Sequence, residues 1–374
     1  MRRNRSHTSY PRLPDATINP INSGEEEKTS GIMLMQFGLY APIPMATVGS
    51  PEIAKAHADA LKPLPDGNRD LQLDHSIALL EAADRTGFDL CLFAERHLGS
   101  DLSAWLLAGA VGSRLEKIRA LVAIHPGLLD PVLTAKMSVS LDRMCKGGMA
   151  LNIVNGWFDE EFEMFGGTIL RGEERYKRAT EFIDVLRGLW NNEKFSYSGD
   201  FFNYTDAHLL LRPGHNRAPE IFSVSAGDEG RDFIAQTCDW WFINYPKAAE
   251  NTDDVMRGVE EAITDMRRRA EREGRNVRFG MNPFIGIAKD EQTGIQDIIN
   301  QILKFDPDTD ERKLQRRMLP ALKAGLIGKP EDVIKQLGRY HDMGLELILC
   351  KMMPNTENIS KIGREIVTEA KKLH

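Results

Sequence analysis

Long apolar runs are missing from this chain. None approaches the ~18 consecutive residues that a membrane-spanning helix needs, and the first 32 residues hold no apolar core of the kind a secretory signal carries. Positive charge is in deficit: the formal net charge is −7, which argues against a nucleic-acid or anionic-membrane surface. Cysteine is scarce. The four thiols, Cys91, Cys145, Cys238 and Cys350, form no CxxC pair, and three of them fall in apolar strand patterns. They read as buried thiols of a protein in a reducing, cytoplasmic compartment. There is no GxGxxG, no GxxxxGK[ST], no HExxH and no GxSxG, and no His/Asp cluster has metal-ligand spacing. The chain therefore carries no signature of a dinucleotide-binding fold, a P-loop, a zinc hydrolase or a serine hydrolase, and no metal is expected.

What is present is alternation. With 374 residues and 42% hydrophobic content the chain can bury one large core or two domains. From Met33 onward eight segments read as strands: 35–41, 88–94, 119–125, 149–154, 220–225, 239–244, 278–287 and 345–350. Several are continuous apolar runs, as expected for parallel strands covered on both faces. Helix patterns lie between them. Tyr176, Ala179, Ile183, Leu186 and Trp190 recur at spacings of three and four, as do Val255, Val259, Ala262 and Met266. Lys329-Pro330-Glu331-Asp332 reads as a helix start. The basic run Arg267–Arg269 reads as a solvated helix face. Strand–helix alternation repeated eight times predicts an α/β fold, a (β/α)8 TIM barrel, over residues 33–374. Residues 1–32, poor in apolar side chains, read as a disordered N-terminal extension.

Three connections are long. Residues 42–67 are rich in Pro and Gly. Residues 191–219 contain FSYSGDFFNY, a hairpin turning at Ser198-Gly199-Asp200. Residues 288–328 are charged and partly helical, and read either as a lid over the barrel mouth or as a surface insertion.

In such barrels the reactive groups sit where strands end. The polar residues there are Glu95, Arg96 and His97 after strand two, His125 after strand three, Asn152 and Asn155 at strand four, Ser223 and Ser225 at strand five, and Asn244 at strand six. His125, Glu95 and His97 are the catalytic candidates. For His125 the alternative is a histidine capping the Pro126-Gly127 turn, and for Glu95 a local ion pair with Arg96. Trp157 follows Asn155-Gly156 and either packs or lies beside a planar ligand, so Trp157 and Asn155 are the substrate-binding candidates. Ser225, Gly227 and Gly230 lead into a helix whose free N–H groups suit a phosphate, whereas Asp228 and Glu229 in the same turn disfavour an anion.

The stretches VAIHPGLLDPVLTAK, SLDRMCKGGMALNIVNGW, EEFEMFGG, GEERYKRATEFIDVLRGLW, FSYSGDFF, GRNVRFGMNPFIGIAKD and LIGKPEDVIKQL carry a resemblance over nearly all of the chain beyond the leader. The sequence resembles the bacterial-luciferase-like flavin-dependent monooxygenases, within them most of all the dimethyl-sulfone and alkanesulfonate enzymes. The resemblance implies a luciferase-like TIM barrel with long insertions. It implies reduced FMN (FMNH2) supplied by a separate NAD(P)H:flavin reductase, O2 as co-substrate, a small organosulfur substrate, and a homo-oligomer. An oxidoreductase of the same fold acting on a heterocycle or using F420, and a non-catalytic flavin-binding protein, are the alternatives. Family flavin contacts carry over onto Asn152, Glu161, Arg175 and Tyr176, and the mouth position adds Arg96, Ser225 and Gly227 as cofactor-binding candidates. The cysteine that alkanesulfonate enzymes carry after strand two has no counterpart in ERHLGSDLSAW. Their Tyr and His after strand eight have none in CKMMPNTEN.

Overall fold

Each predicted apolar run contributes one strand of a single closed sheet. The computed structural model describes residues 35–40, 62–156, 158–215, 217–246, 249–305 and 318–372. The leader, most of the loop after the first strand, and Trp157 lie outside the described residues. The barrel strands are β1 (Gln36–Tyr40), β2 (Leu90–Phe93), β3 (Arg119–Ile124) and β4 (Met149–Ile153). The hairpin β5 (Phe195–Ser198) and β6 (Asn203–Ala207) follows, and then β7 (Glu220–Val224), β8 (Trp240–Phe242) and β9 (Arg278–Met281). A short pair, β10 (Gly286–Ile287) and β11 (Ile327–Gly328), precedes the last barrel strand, β12 (Leu347–Cys350). Neighbours around the barrel run β1-β12-β9-β8-β7-β4-β3-β2, and the pairs are parallel.

Strand side chains alternate between two environments. On β3, Ala120, Val122 and Ile124 pack outward on the helices, whereas Leu121 and Ala123 join an inner cluster with Leu90, Leu92, Phe222, Trp240 and Phe242. The next inward position after Ala123 is residue 125, so the alternation itself turns His125 toward the barrel interior.

Ten helices connect the strands among the described residues: α1 (Leu71–Arg85), α2 (Ala104–Gly112), α3 (Pro131–Met144), α4 (Asp159–Met164), α5 (Gly172–Asn191), α6 (Asp228–Thr237), α7 (Thr252–Arg272), α8 (Glu291–Phe305), α9 (Pro330–Asp342) and α10 (Thr356–Ile362). The periodic faces read from the sequence are the buried faces of α5 and α7. α9 starts where Lys329-Pro330 placed it, with Pro at its first turn. Asp130 caps α3 by accepting from Leu133 N at 2.9 Å.

Three expectations need correction. The run 278–287 is not one strand: β9 stops at Met281, and residues 286–287 pair with β11 in a separate sheet. Pro283 has no N–H for the ladder, so pairing lapses there. The basic run on α7 is not wholly solvated. The Arg269 side chain is 13% exposed and holds Asp228, Asp232 and Asp265 together. Two cysteines, Cys91 and Cys350, lie on strands, while Cys145 and Cys238 close α3 and α6; all four are free and buried. A fourth observation bears on the 288–328 insertion without deciding between lid and surface insertion: its described part has its own apolar cluster, in which Ile295, Ile299, Leu322 and Ile327 pack on Phe284.

The N-terminal end of the barrel is closed by charge. Arg119 pairs with Glu220, Trp240 Nε1 donates to Glu220 Oε1 at 3.1 Å, and Arg278 Nε donates to Glu346 Oε2 at 2.5 Å. The C-terminal end is left open for the site.

Candidate active site

A cavity of about 340 Å³ opens at the C-terminal ends of the strands. Its polar side chains are Glu95, Arg96, His125, Asn152 and Asn282, and its apolar wall is made by Tyr40, Leu92, Val154, Val224, Phe242 and Leu349. The polar groups come from the ends of β2, β3, β4 and β9, so residues far apart in sequence meet because parallel strands all end at one mouth.

His125 is 4% exposed, and among the described residues neither imidazole nitrogen has a partner within hydrogen-bond geometry, the backbone at Glu95 and Val154 being its nearest polar neighbours. The turn that follows it is closed by backbone instead: Leu128 N donates to the His125 carbonyl at 3.0 Å. Gly127 takes a φ of 106°, and a β-carbon there would run into the Arg178 guanidinium, so glycine is required. The imidazole is thus not the cap of that turn. Burial lowers its pKa, and the neighbouring His97 lowers it further, against the pull of Glu161 and the backbone at Glu95 and Val154. It is a neutral imidazole facing the cavity near pH 7.

The other strand-two candidates divide their work. The Glu95 carboxylate accepts from Ala104 N at 3.0 Å and Ser103 Oγ at 3.3 Å, at the start of α2. Burial raises its pKa, and those hydrogen bonds oppose the rise. Arg96 does not pair with Glu95: its Nε donates to Glu161 Oε1 at 3.2 Å. Glu161, 2% exposed, also accepts from His97 N at 3.1 Å and Leu98 N at 3.5 Å. One carboxylate therefore ties three successive residues of the β2–α2 loop to α4. His97 sits between His125 and Phe165, with ring centroids 5.7 and 4.9 Å away.

A second cluster lies beside the cavity, one residue beyond Val224. The hydroxyls of Tyr176 and Ser225 are 3.3 Å apart, Arg175 Nη2 donates to Tyr176 Oη at 3.0 Å, and the Arg175 guanidinium lies 4.7 Å from the Tyr176 ring centre. Trp241 Nε1 donates to the Ser225 carbonyl at 3.2 Å, which fixes the end of β7. A β-carbon on Gly230 would clash with Ser225 Oγ and lie 2.5 Å from Tyr176 Oη, so only glycine lets α6 approach these hydroxyls. Gly227 caps α6 with open space above it, and the first-turn N–H groups of a helix have no partner within it. Asp228 in that turn is drawn to Arg269 Nη2 at 2.6 Å; Glu229 is exposed.

The structure brings His125, Glu95, Arg96 and Asn152 around one cavity, with His97 and Glu161 behind them. Arg175, Tyr176, Ser225 and Gly227 gather next door. Ser223 is turned away: its Oγ donates to the Ile153 carbonyl at 2.8 Å, because Phe222 and Val224 take the inward positions. Asn244 is exposed. Sequence reasoning missed Asn282, hidden by the misread 278–287 strand. Its signal was present, a polar residue ending an apolar run just before Pro283.

A closed parallel barrel with an apolar pocket and polar groups converging at its C-terminal mouth is the plan of a barrel enzyme. Residues 35–347 match the luciferase-like monooxygenase family, and the chain belongs to it. It is similar to two FMNH2-dependent dimethylsulfone monooxygenases. The one from Pseudomonas putida is 28% identical over 331 residues, 80% of this chain and 89% of that protein. The one from Pseudomonas fluorescens (strain Pf0-1) is 27% identical over 334 residues, 81% of this chain and 89% of that protein. A solved riboflavin lyase, with modified FMN and its substrate riboflavin, shares the fold with a TM-score of 0.70 at 16% identity, over 91% of this chain and 92% of that one. The chain is an enzyme, a flavin-dependent monooxygenase.

Proposed function

We propose that this chain is the oxygenase of a two-component system that takes FMNH2 from a separate NAD(P)H:flavin reductase and, with O2, oxidises a small uncharged organosulfur compound. The observation that carries the reading is a set of buried polar atoms with no hydrogen-bond partner: both nitrogens of His125, Oδ1 of Asn152, Oδ1 of Asn155 and Nε of Arg175. Buried polar groups are ordinarily paired, so the unpaired atoms of His125 and Asn152, which line the cavity, suit a polar ligand there. Reduced FMN fits the set, having a phosphate at one end and a hydrogen-bonding heterocycle at the other. The similarity to FMNH2-dependent dimethylsulfone monooxygenases supports the same cofactor and substrate class.

Arg175, Tyr176, Ser225 and the N–H groups after Gly227 would hold the phosphate by charge-assisted hydrogen bonds. Asn152 and Asn155 would hydrogen-bond the heterocycle or the substrate. Bound FMNH2 supplies the electrons with which O2 is activated for transfer of an oxygen atom. The chain's own contribution is a dry apolar pocket, orientation, and one neutral imidazole, His125, able to donate a proton from one ring nitrogen and accept at the other. Glu161 holds the loop that carries Arg96 and His97, and Trp157, outside the described residues, is kept as a substrate-binding candidate on its sequence alone. Residues 33–374 form the catalytic barrel, with 1–32 as an extension outside it; deleting 1–32 should leave the melting temperature unchanged. The protein is cytoplasmic in this reading. Among the described residues no helix is long and apolar enough to cross a membrane.

Anaerobic titration tests the proposal. FMNH2 should bind more tightly than FMN, and adding O2 with a dialkyl sulfone should give oxidised product in a single turnover. Direct reduction of bound flavin by NADPH on this chain would exclude the two-component reading.

A further inference from the structure

The inner end of the cavity is built differently from its sides. Leu92, Leu349, Val154 and Val224 are aliphatic, whereas Phe242, 5% exposed, is the lining side chain that rests on other rings. Beneath it lies a column of stacked rings. Phe242 stacks on Phe222 at 5.5 Å, and Phe222 stacks on Trp240 at 5.0 Å with 6° between their planes. The Arg278 guanidinium lies 4.0 Å from the Trp240 ring centre, and Trp240 Nε1 is tied to Glu220. Phe222 and Trp240 are wholly buried. The ring of Phe242 therefore has no room to retreat down the barrel axis, because close-packed interiors yield little. On its flank it lies over Gly280, where a β-carbon would come within 3.1–3.2 Å of it. The residue that would normally fill that place is reduced to a hydrogen, and the phenyl ring lies over the gap.

We infer that Phe242, backed by the Phe222–Trp240–Arg278 column, is the specificity-determining residue that fixes the depth of the substrate pocket. It restricts the enzyme to substrates with short alkyl arms. The inference rests on the proposed function for the sulfone class, but the depth limit follows from the column alone. A long arm directed at Phe242 meets a ring backed by two further buried rings. A short one is enclosed by the aliphatic side chains that line the cavity with Phe242. An extra methylene in such a pocket changes affinity by about tenfold or more.

The test is equilibrium calorimetry on the full-length protein loaded with oxidised FMN, so that no turnover is needed. Dialkyl sulfones from dimethyl to dibutyl are titrated, with dialkyl ketones of matching length in parallel. In the wild type, affinity should fall by about tenfold or more once the arms exceed the pocket depth. Phe242→Ala should move that break to longer arms in whichever series binds. Phe242→Leu, which keeps an apolar side chain on the column, should move it less. Gly280→Ala should move it to shorter arms by pressing the ring into the cavity. If Phe242→Ala loses the fold, the Leu and Gly280 variants still decide the matter. A break that stays put in the variants overturns the role of Phe242. Ketone binding with no sulfone binding overturns the sulfone reading and leaves Phe242 to be judged by the ketones. A wild type that binds neither series, or binds long and short members alike, overturns the depth limit itself.

Discussion

The imidazole of His97 meets that of His125 edge to face, with ring centroids 5.7 Å apart, at the point where β2 and β3 open into the cavity. His97 is held there by its own backbone N–H on Glu161. Burial, with His97 beside it, holds the His125 pKa below its ordinary value, so this imidazole is neutral near pH 7. His125→Ala should therefore lower single-turnover oxidation by about 10²–10⁴-fold, the usual contribution of a positioned proton donor or acceptor. FMN affinity should stay near normal. A variant that turns over normally but melts much lower would assign His125 to the scaffold.

The same shift makes a stability prediction. The folded pKa of His125 lies below the ordinary value of 6.5. Between those two values the unfolded chain binds the extra proton, so stability is full above pH 6.5 and falls as the pH drops through that window. His125→Phe removes the linkage. Denaturant melts at pH 5 and pH 8 should show a smaller pH difference for the variant than for the wild type; equal differences would refute the linkage.

Arg175 should discriminate between flavins. Its guanidinium is pinned to Tyr176 beside the open end of α6, with Nε left free. Arg175→Ala should weaken FMN binding by about 1.5–3 kcal/mol, as for loss of a hydrogen bond to a charged group. Riboflavin, which lacks the phosphate, should bind the two proteins alike. An equal loss for both ligands would place Arg175 away from the phosphate.

The barrel was legible because its strands are short apolar runs with turns between them, a signal that survives without tertiary information. His125 was legible because a single polar residue ending such a run has one place to point. The partners of Glu95 and Arg96 were not. Adjacent opposite charges suggest a pair, but Glu95 lies within reach of the α2 N-terminus and Arg96 within reach of Glu161, 65 residues away. Only folding decides between such options. Asn282 was lost for a local reason, since apolar residues beyond Pro283 prolong the strand pattern after the ladder has ended.

α2 makes a prediction about assembly. It is apolar almost all round, AWLLAGAVG, yet Leu106 is 76% exposed and Ala110 is also outside. Leu133 and Met144 on the neighbouring α3 are about half exposed, and Met144 Cε lies 3.6 Å from where a β-carbon of Gly109 would be. These exposed apolar side chains suit burial against a second copy of the chain. Sedimentation equilibrium should show a homo-oligomer that Leu106→Glu dissociates; a wild type that is monomeric at micromolar concentration would refute this.

Glu220 should matter more to stability than to chemistry. It sits at the closed end of the barrel, paired with Arg119 and 3.6 Å from Arg278, and accepts from Trp240. The Arg119 side chain is 8% exposed, so removing its partner leaves a buried cation without compensation. Breaking a buried pair in this way costs about 3–5 kcal/mol. Glu220→Ala should lower the unfolding free energy by about that amount, whereas Glu→Ala on an exposed helix face stays within about 0.5 kcal/mol. The pH dependence has a definite sign. Burial acts to raise the Glu220 pKa, but Arg119, Trp240 and the other nearby arginines outweigh it, and the folded pKa ends below the ordinary carboxylate value of 4.5. The folded state therefore binds fewer protons than the unfolded chain in that range. The stabilisation is present above pH 4.5 and is lost as the pH falls through the folded pKa. The wild-type and Glu220→Ala curves should converge on acidification. A gap that stays constant from pH 7 down to pH 3 would show that packing around Glu220, and not its charge, holds the closed end of the barrel.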